Sequence, residues 1–317
     1  MGIIQSTSRK RVEQVAPQIS YDSLVQSGNV KLSESQYFRF SDPEGGLPLK
    51  VDLRAPGQGC YPYPVIREQA LLNNCSSLAV TAAYQCLQRL KVKTDPTNVA
   101  ANLVEPSALY NYYFARKLMG TSRYDSGASV EAAINSMIIG VSEEKLWPYD
   151  SDKVNVEPSE AAQVNALQHS LLQYERLWPT LVNLKRTVAA GYPFLFSFAI
   201  TKSMDKWFRN RDAQLTTQFM VSVDEFTKAD IVGAHTVLVV GYDDAYLQTG
   251  AFLCRNSWGP NFGQEGHFWF PYTDILYPDL SGSFFLLKEI CASTTPTCVS
   301  KEDCHTAYGP NICQQIP

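Results

Sequence analysis

Four side chains in this sequence could together cleave an acyl bond: a thiol, an imidazole and two amides. Histidine occurs only at positions 169, 235, 267 and 305, so each candidate general base can be weighed in turn. His169 lies in a polar helical stretch, His267 opens an apolar run, and His305 belongs to a cysteine-rich tail. His235 heads the strand-like segment VGAHTVLVVGY, where a ring would project from a rigid element. Cys75 opens an apolar helical pattern, and free N–H groups and the helix dipole at such a start lower a thiol pKa. Asn256, 21 residues after His235, could hold the imidazole by a hydrogen bond and leave the other ring nitrogen facing the thiol. Gln69, six residues before Cys75, could offer its amide to a developing oxyanion. Singly, each of these residues is more often structural, and Cys75 alone reads as a core thiol like Cys86 or Cys254. Taken together, they point to nucleophilic catalysis through a thioester acyl-enzyme.

The segments around these residues resemble the papain-like C1 cysteine peptidases. They are VDLRAPG at 51–57, Gln69 ahead of Cys75 and its helix, AHTVLVVGYDD from Ala234, and NSWGPNFGQEGHFWF from Asn256. The block Asn256, Ser257, Trp258, Gly259, Gly263 and Gly266 matches in register, and the order Gln, Cys, His, Asn agrees. The likeness spans roughly residues 51–288 and is nearest to the short-arm intracellular branch of bacteria and viruses. It implies an α+β, two-lobed fold with a helical left lobe, an antiparallel β-barrel-like right lobe and a peptide cleft between them. It further implies Cys75 as nucleophile, His235 as general base and acid, Asn256 as orienter and Gln69 as oxyanion donor. Trp258 would shield the His–Asn contact, and Gly127 would pair with substrate backbone, with Ala128 and Ala234 completing the substrate-binding set. No cofactor or metal is implied. The sequence departs from the family pattern at Leu72, where a disulfide cysteine is usual, at Asn73 for a glycine, and at Ser76 for an aromatic.

These residues need elements to position them. Leu78, Ala79, Ala82, Cys86, Leu87 and Leu90 recur at helical spacing and predict a helix with one buried face from Cys75 to about Leu90. Pro106-Ser107 precedes a second helical stretch ending at Leu118, and Ser129 to Ile138 reads as a third. Residues 159–190 carry further helical pattern, broken at Pro179. PFLFSFAI, then Ile231–Tyr242, Ala251–Arg255 and His267–Phe270 read as strands of an antiparallel sheet. Helices first and strands later predict an α+β chain. Residues 201–231 are long enough to form a lid over the cleft. The domain reading is an arm at 1–49, covering the cleft, a catalytic domain at 50–290 and a tail at 291–317.

A net charge of −4 argues against a nucleic-acid partner, and no apolar run is long enough to span a membrane. At the start, Gly2 and Ser6 fit a myristoylation pattern, and Arg9, Lys10 and Arg11 supply the basic second signal. No secretory h-region is present, so the expected location is cytoplasmic, peripheral at an anionic membrane or within a virion. Cys291, Cys298, Cys304 and Cys313 crowd a tail of low apolar content, where disulfides or a metal would act as staples. The expected partner is a peptide or protein substrate. Two alternatives remain: an acyl transferase of transglutaminase or deamidase type on the same machinery, or a non-catalytic membrane-associated structural protein.

Overall fold

The computed structural model describes residues 38–41, 43, 45–95, 103–209 and 227–291. The helices come first. Helix α1 (Cys75–Thr94) is followed by α2 (Ala108–Leu118) and α3 (Val130–Ile139). Ser107 and Ser129 cap α2 and α3, their hydroxyls accepting from the N–H groups of Tyr110 and Ala132. Lys91 and Lys93 in the last turn of α1 suit the negative end of its dipole, and Pro96 follows just after its end. The periodicity foretold a helix buried on one face. In the structure α1 is buried without a break from Cys75 to Tyr84, because it packs against α2 and α3 on one side and the sheet on the other.

After a short α4 (Glu160–Ala166) the chain enters the sheet. Its strands are β1 (Lys50–Asp52), β2 (Leu171–Arg176), β3 (Phe194–Thr201), β4 (Ile231–Asp243), β5 (Ala251–Arg255), β6 (His267–Pro271) and β7 (Ser281–Ile290). They run antiparallel in the order β2-β7-β3-β4-β5-β6, with β1 added to β4. Three helices decorate the sheet: α5 (Leu181–Ala189), α6 (Lys202–Arg209) and α7 (Tyr272–Ile275). All eight residues of β3 are buried, which is why its sequence runs apolar rather than alternating. Phe196 stacks on Phe284 with centroids 5.9 Å apart, and Phe198 meets Phe270 at 5.1 Å, so aromatic rings fill the core beneath the strand that carries His235.

Three strands escaped the sequence pattern, the short β1 at Lys50–Asp52 among them. LLQYER (β2) lies inside the stretch read as helical, and β7 was not foreseen at all. Each depends on the other, pairing across more than a hundred residues, and such remote pairing leaves no mark in local periodicity. The end of the arm is described from Phe38 onward. Phe38 bridges Leu177, its N–H donates to the Arg176 carbonyl at 2.8 Å, and Asn183 binds the backbone of Phe38 and Phe40. The 38–41 segment therefore docks beside β2 and α5, elements that carry none of the candidate catalytic residues. The rest of the expected cleft cover, with Gly2, Ser6 and Arg9–Arg11, lies outside the described residues, as does 210–226 of the expected lid. Cys291 is held in a disulfide, while Cys298, Cys304 and Cys313 lie outside the described residues. No described helix is long and apolar enough to cross a membrane.

Candidate active site

Cys75 is the first residue of α1. Asn74, at the N-cap, does not cap the helix with its side chain but donates Nδ2 to the Tyr149 hydroxyl at 2.9 Å. The first turn carries no acidic residue, so the positive end of the helix dipole is left to act on the thiol. The backbone and hydroxyl of Thr236, the residue after His235, act on the thiol and oppose the upward push of burial. Helix α1 packs against β4, the strand that carries His235.

His235 sits on β4 opposite Phe198 of β3. Its Nε2 is 2.8 Å from Asn256 Oδ1. That oxygen also accepts from the Ser257 N–H at 2.8 Å, which fixes the orientation of the amide. An amide oxygen can only accept, so Nε2 carries the hydrogen and Nδ1 of the neutral ring holds the free lone pair. Trp258 packs on the imidazole with centroids 4.8 Å apart, and Phe198 meets it edge-on at 5.7 Å. Phe208 of α6 in turn covers Trp258 at 4.8 Å. His235 and Asn256 are each only 3% exposed, so water has little access to their hydrogen bond.

Gln69 is tied to the same loop. Its Oε1 accepts from the Ser257 hydroxyl at 2.7 Å and from Trp258 Nε1 at 3.1 Å. With the oxygen so occupied, Nε2 must point the other way, and it donates to the Leu72 carbonyl at 2.9 Å. One of its two hydrogens remains for another acceptor. The backbone joins the two segments as well: Gln69 N–H donates to Ser257 O at 2.7 Å and Gly259 N–H to Arg67 O at 3.1 Å. The glycines of the NSWG block follow from this closeness. A Cβ on Gly259 would stand 2.9 Å from Glu68 Oε2, and one on Gly263 would meet the His267 carbonyl oxygen at 2.3 Å.

Burial sets the resting protonation. Desolvation pushes the His235 pKa down to about 4 and moves the Cys75 thiol upward, although bonds from Thr236 and Ser76 oppose the second shift. The expectation of a lowered thiol pKa at a helix start is therefore reversed, because burial outweighs the dipole. In the resting site the imidazole is neutral and the sulfur protonated.

The structure thus ties His235, Asn256, Gln69 and Trp258 together through direct contacts and sets Cys75 at the start of the helix packed on β4. Ala234 lies half-buried on β4 just before His235. The Gly127 N–H donates to the Tyr112 hydroxyl at 2.9 Å and its carbonyl accepts from Ser126 Oγ at 2.9 Å. Ala128, the next residue, is buried. Sequence reasoning passed over Thr236, Phe208, Tyr149, Tyr112 and Asp125. Asp125 opens the DSGAS segment quoted for its glycine, so a polar residue at that spot was the one available signal; the tyrosines read simply as core.

A thiol at the start of a helix packed against the strand of an amide-held imidazole, with helices on one side and an antiparallel sheet on the other, is the arrangement of a cysteine-peptidase type of fold. The chain belongs to the papain family of cysteine proteases, whose model matches residues 47–274. An uncharacterized peptidase C1-like protein of Acanthamoeba polyphaga mimivirus is 28% identical over 232 residues, covering 70% of this chain and 69% of that protein. Among solved structures, xylellain, a cysteine protease from Xylella fastidiosa, is 30% identical with a TM-score of 0.64, covering 82% of this chain and 95% of that one. ProCathepsin B S9 from Trypanosoma congolense shares the fold at 14% identity and a TM-score of 0.58, covering 84% and 88%. The protein is a cysteine-type peptidase acting on peptides or proteins.

Proposed function

We propose that Cys75 attacks the scissile carbonyl, with His235 as base and acid, Asn256 as orienter and Gln69 with the Cys75 N–H as oxyanion donors. The observation that carries this reading is the 2.8 Å bond from His235 Nε2 to an Asn256 oxygen whose orientation is itself fixed, because it commits Nδ1 to the proton transfer. Nδ1 takes the thiol proton as sulfur bonds to the carbonyl carbon. The transfer creates two opposite charges side by side, and their attraction offsets desolvation that either charge would face alone. Negative charge on the carbonyl oxygen is met by the second Gln69 Nε2 hydrogen and by the helix start. The imidazolium then protonates the leaving amine as the C–N bond breaks, giving a thioester. Water, deprotonated by the same Nδ1, releases the acid and restores the thiol.

The test is intact mass after incubation with an epoxide-type thiol inactivator, paired with hydrolysis of fluorogenic peptides. One adduct, on Cys75, is expected, since among the described free thiols Cys75 alone keeps some exposed surface, at 6%, while Cys60, Cys86 and Cys254 have none. Cys75→Ala should abolish both adduct and turnover; retained turnover would overturn the assignment. Amine incorporation into glutamine peptides exceeding hydrolysis would instead assign the acyl-transferase activity. For the amino terminus we propose acylation of Gly2 and reversible attachment to a cytoplasmic, anionic membrane face, supported by Ser6 and the Arg9-Lys10-Arg11 cluster.

A further inference from the structure

The loop from Gln69 to Asn74 must set two oxyanion donors, Gln69 Nε2 and the Cys75 N–H, on one point. Little within the loop does so. Ala70 adopts a left-handed φ of +53°, Leu71 is 44% exposed, and the internal backbone turn rests on a 3.2 Å bond from Leu72 N–H to Gln69 O. No cross-link supports it, since the Cys75 thiol is free.

Ser257 and Trp258 hold Gln69, and the Tyr149 hydroxyl donates to the Gln69 carbonyl at 3.0 Å and accepts from Asn74 Nδ2 at 2.9 Å; between these ends, Asn73 is braced by one remote carboxylate. The Asn73 N–H lies 3.2 Å from each oxygen of Asp125. The Asn73 side chain adds two more bonds, from Nδ2 to Asp125 Oδ2 at 3.2 Å and to the Asp125 carbonyl at 3.0 Å. Asp125 Oδ1 also accepts from the Tyr112 hydroxyl of α2, which in turn accepts the Gly127 N–H at 2.9 Å. Arg116, fully buried one turn along α2, stacks 4.1 Å over the Tyr112 ring and donates to the Tyr124 carbonyl at 2.6 Å, so a cation pins the residue just before Asp125. Bonds to an ionised acceptor are the strong ones, and a carboxylate accepting from both a backbone N–H and a side-chain amide fixes position as well as distance.

We infer that Asp125 is a positioning residue that locks the oxyanion side of the nucleophile loop to helix α2 and the 125–127 segment, through Asn73 on one side and Tyr112–Gly127 on the other. The inference rests on the reading of Cys75 as nucleophile. Removing the clamp would leave the thiol where α1 and β4 hold it but let the Gln69–Asn73 loop drift from the oxyanion position. A displacement of an ångström there costs on the order of a hundred-fold in rate.

The test uses the full chain with Asp125→Ala, Asp125→Asn and Tyr112→Phe, reading kcat and KM on a fluorogenic peptide and the rate of Cys75 alkylation by iodoacetamide. Alkylation needs the sulfur but no oxyanion site. Asp125→Ala should lower kcat roughly 10- to 100-fold while KM and alkylation stay within about threefold. Asp125→Asn should fall between, because its amide oxygen still accepts the Asn73 N–H. Tyr112→Phe combined with Asp125→Ala should cost less than the product of the two single effects, since both act in one chain of bonds. The inference is overturned if folded Asp125→Ala keeps kcat within threefold, or if kcat and alkylation fall in parallel. Should Asp125→Ala fail to fold, the Asn and Phe variants carry the same reading. If the wild-type chain hydrolyses nothing, the catalytic reading fails and the clamp is judged by amide hydrogen exchange. Faster exchange confined to residues 69–75 in Asp125→Ala would then support it, and unchanged exchange would reject it.

Discussion

Lowering the pH from 8 to 5 should destabilise this protein strongly, well above the range where most carboxylates titrate. The cause lies in two imidazoles buried uncharged. His267 is 2% exposed and boxed in: Nδ1–H donates to the Glu265 carbonyl at 2.8 Å, and Nε2 accepts from the Tyr63 hydroxyl at 2.9 Å. Burial, with Arg54 and Arg255 close by, holds its pKa down to about 3, and burial alone brings His235 to about 4. In the unfolded chain both return to about 6.5. The unfolded state therefore binds protons that the native state refuses, so this stability is complete above pH 6.5 and is lost as pH falls toward 4 and then 3. At pH 5 an ordinary imidazole is roughly thirty-fold more charged than neutral, which is about 2 kcal/mol for each ring. The two together come to about 4 kcal/mol, a large share of the 5–15 kcal/mol typical of a domain. Urea unfolding followed by tryptophan fluorescence at pH 8, 6.5 and 5 measures it. His267→Phe should be less stable at pH 8, because Tyr63 loses its acceptor, yet its drop between pH 8 and 5 should be smaller by about 2 kcal/mol. A wild-type drop under about 1 kcal/mol, or an undiminished drop in the variant, would refute the reasoning.

The same burial predicts that peptide hydrolysis persists to about pH 4, where His235 finally takes a proton; an acid limb centred near 6.5 would mean the ring is hydrated. Gln69→Ala should lower kcat on the order of 100- to 1,000-fold with a smaller change in KM, and a kcat within threefold of wild type would remove Gln69 from the oxyanion role. Co-expression with an N-myristoyltransferase should add one myristoyl mass that Gly2→Ala abolishes. Replacing Arg9, Lys10 and Arg11 should release the acylated chain from anionic vesicles, each contributing about 1 kcal/mol. Deleting residues 1–37 while keeping the docked Phe38 and Phe40 should raise activity on small peptides if the arm lies over the cleft, and unchanged activity in a stable truncated chain would reject that role.

Sequence alone determined those features of this chain whose causes are local. Helix α1 and its start at Cys75 follow from apolar spacing, and α2 and α3 from their serine caps. Gly263 reports a backbone approach that admits no Cβ and Gly259 a left-handed φ of +78°, local demands that made the NSWG block legible as a motif, and His235 could be chosen from four histidines. Only the tertiary structure decided what depends on residues far apart meeting. The mutual pairing of β2 and β7 is of that kind, as is the docking of Phe38 beside Arg176. Protonation is another: a helix start favours a thiolate, but packing of α1 against β4 desolvates Cys75 and His235 and reverses the sign. The Asp125 clamp is the clearest case. Its partner Asn73 lies 52 residues away and Tyr112 another 13, and a hydrogen bond across such distances follows from how the helices pack, which no local pattern encodes.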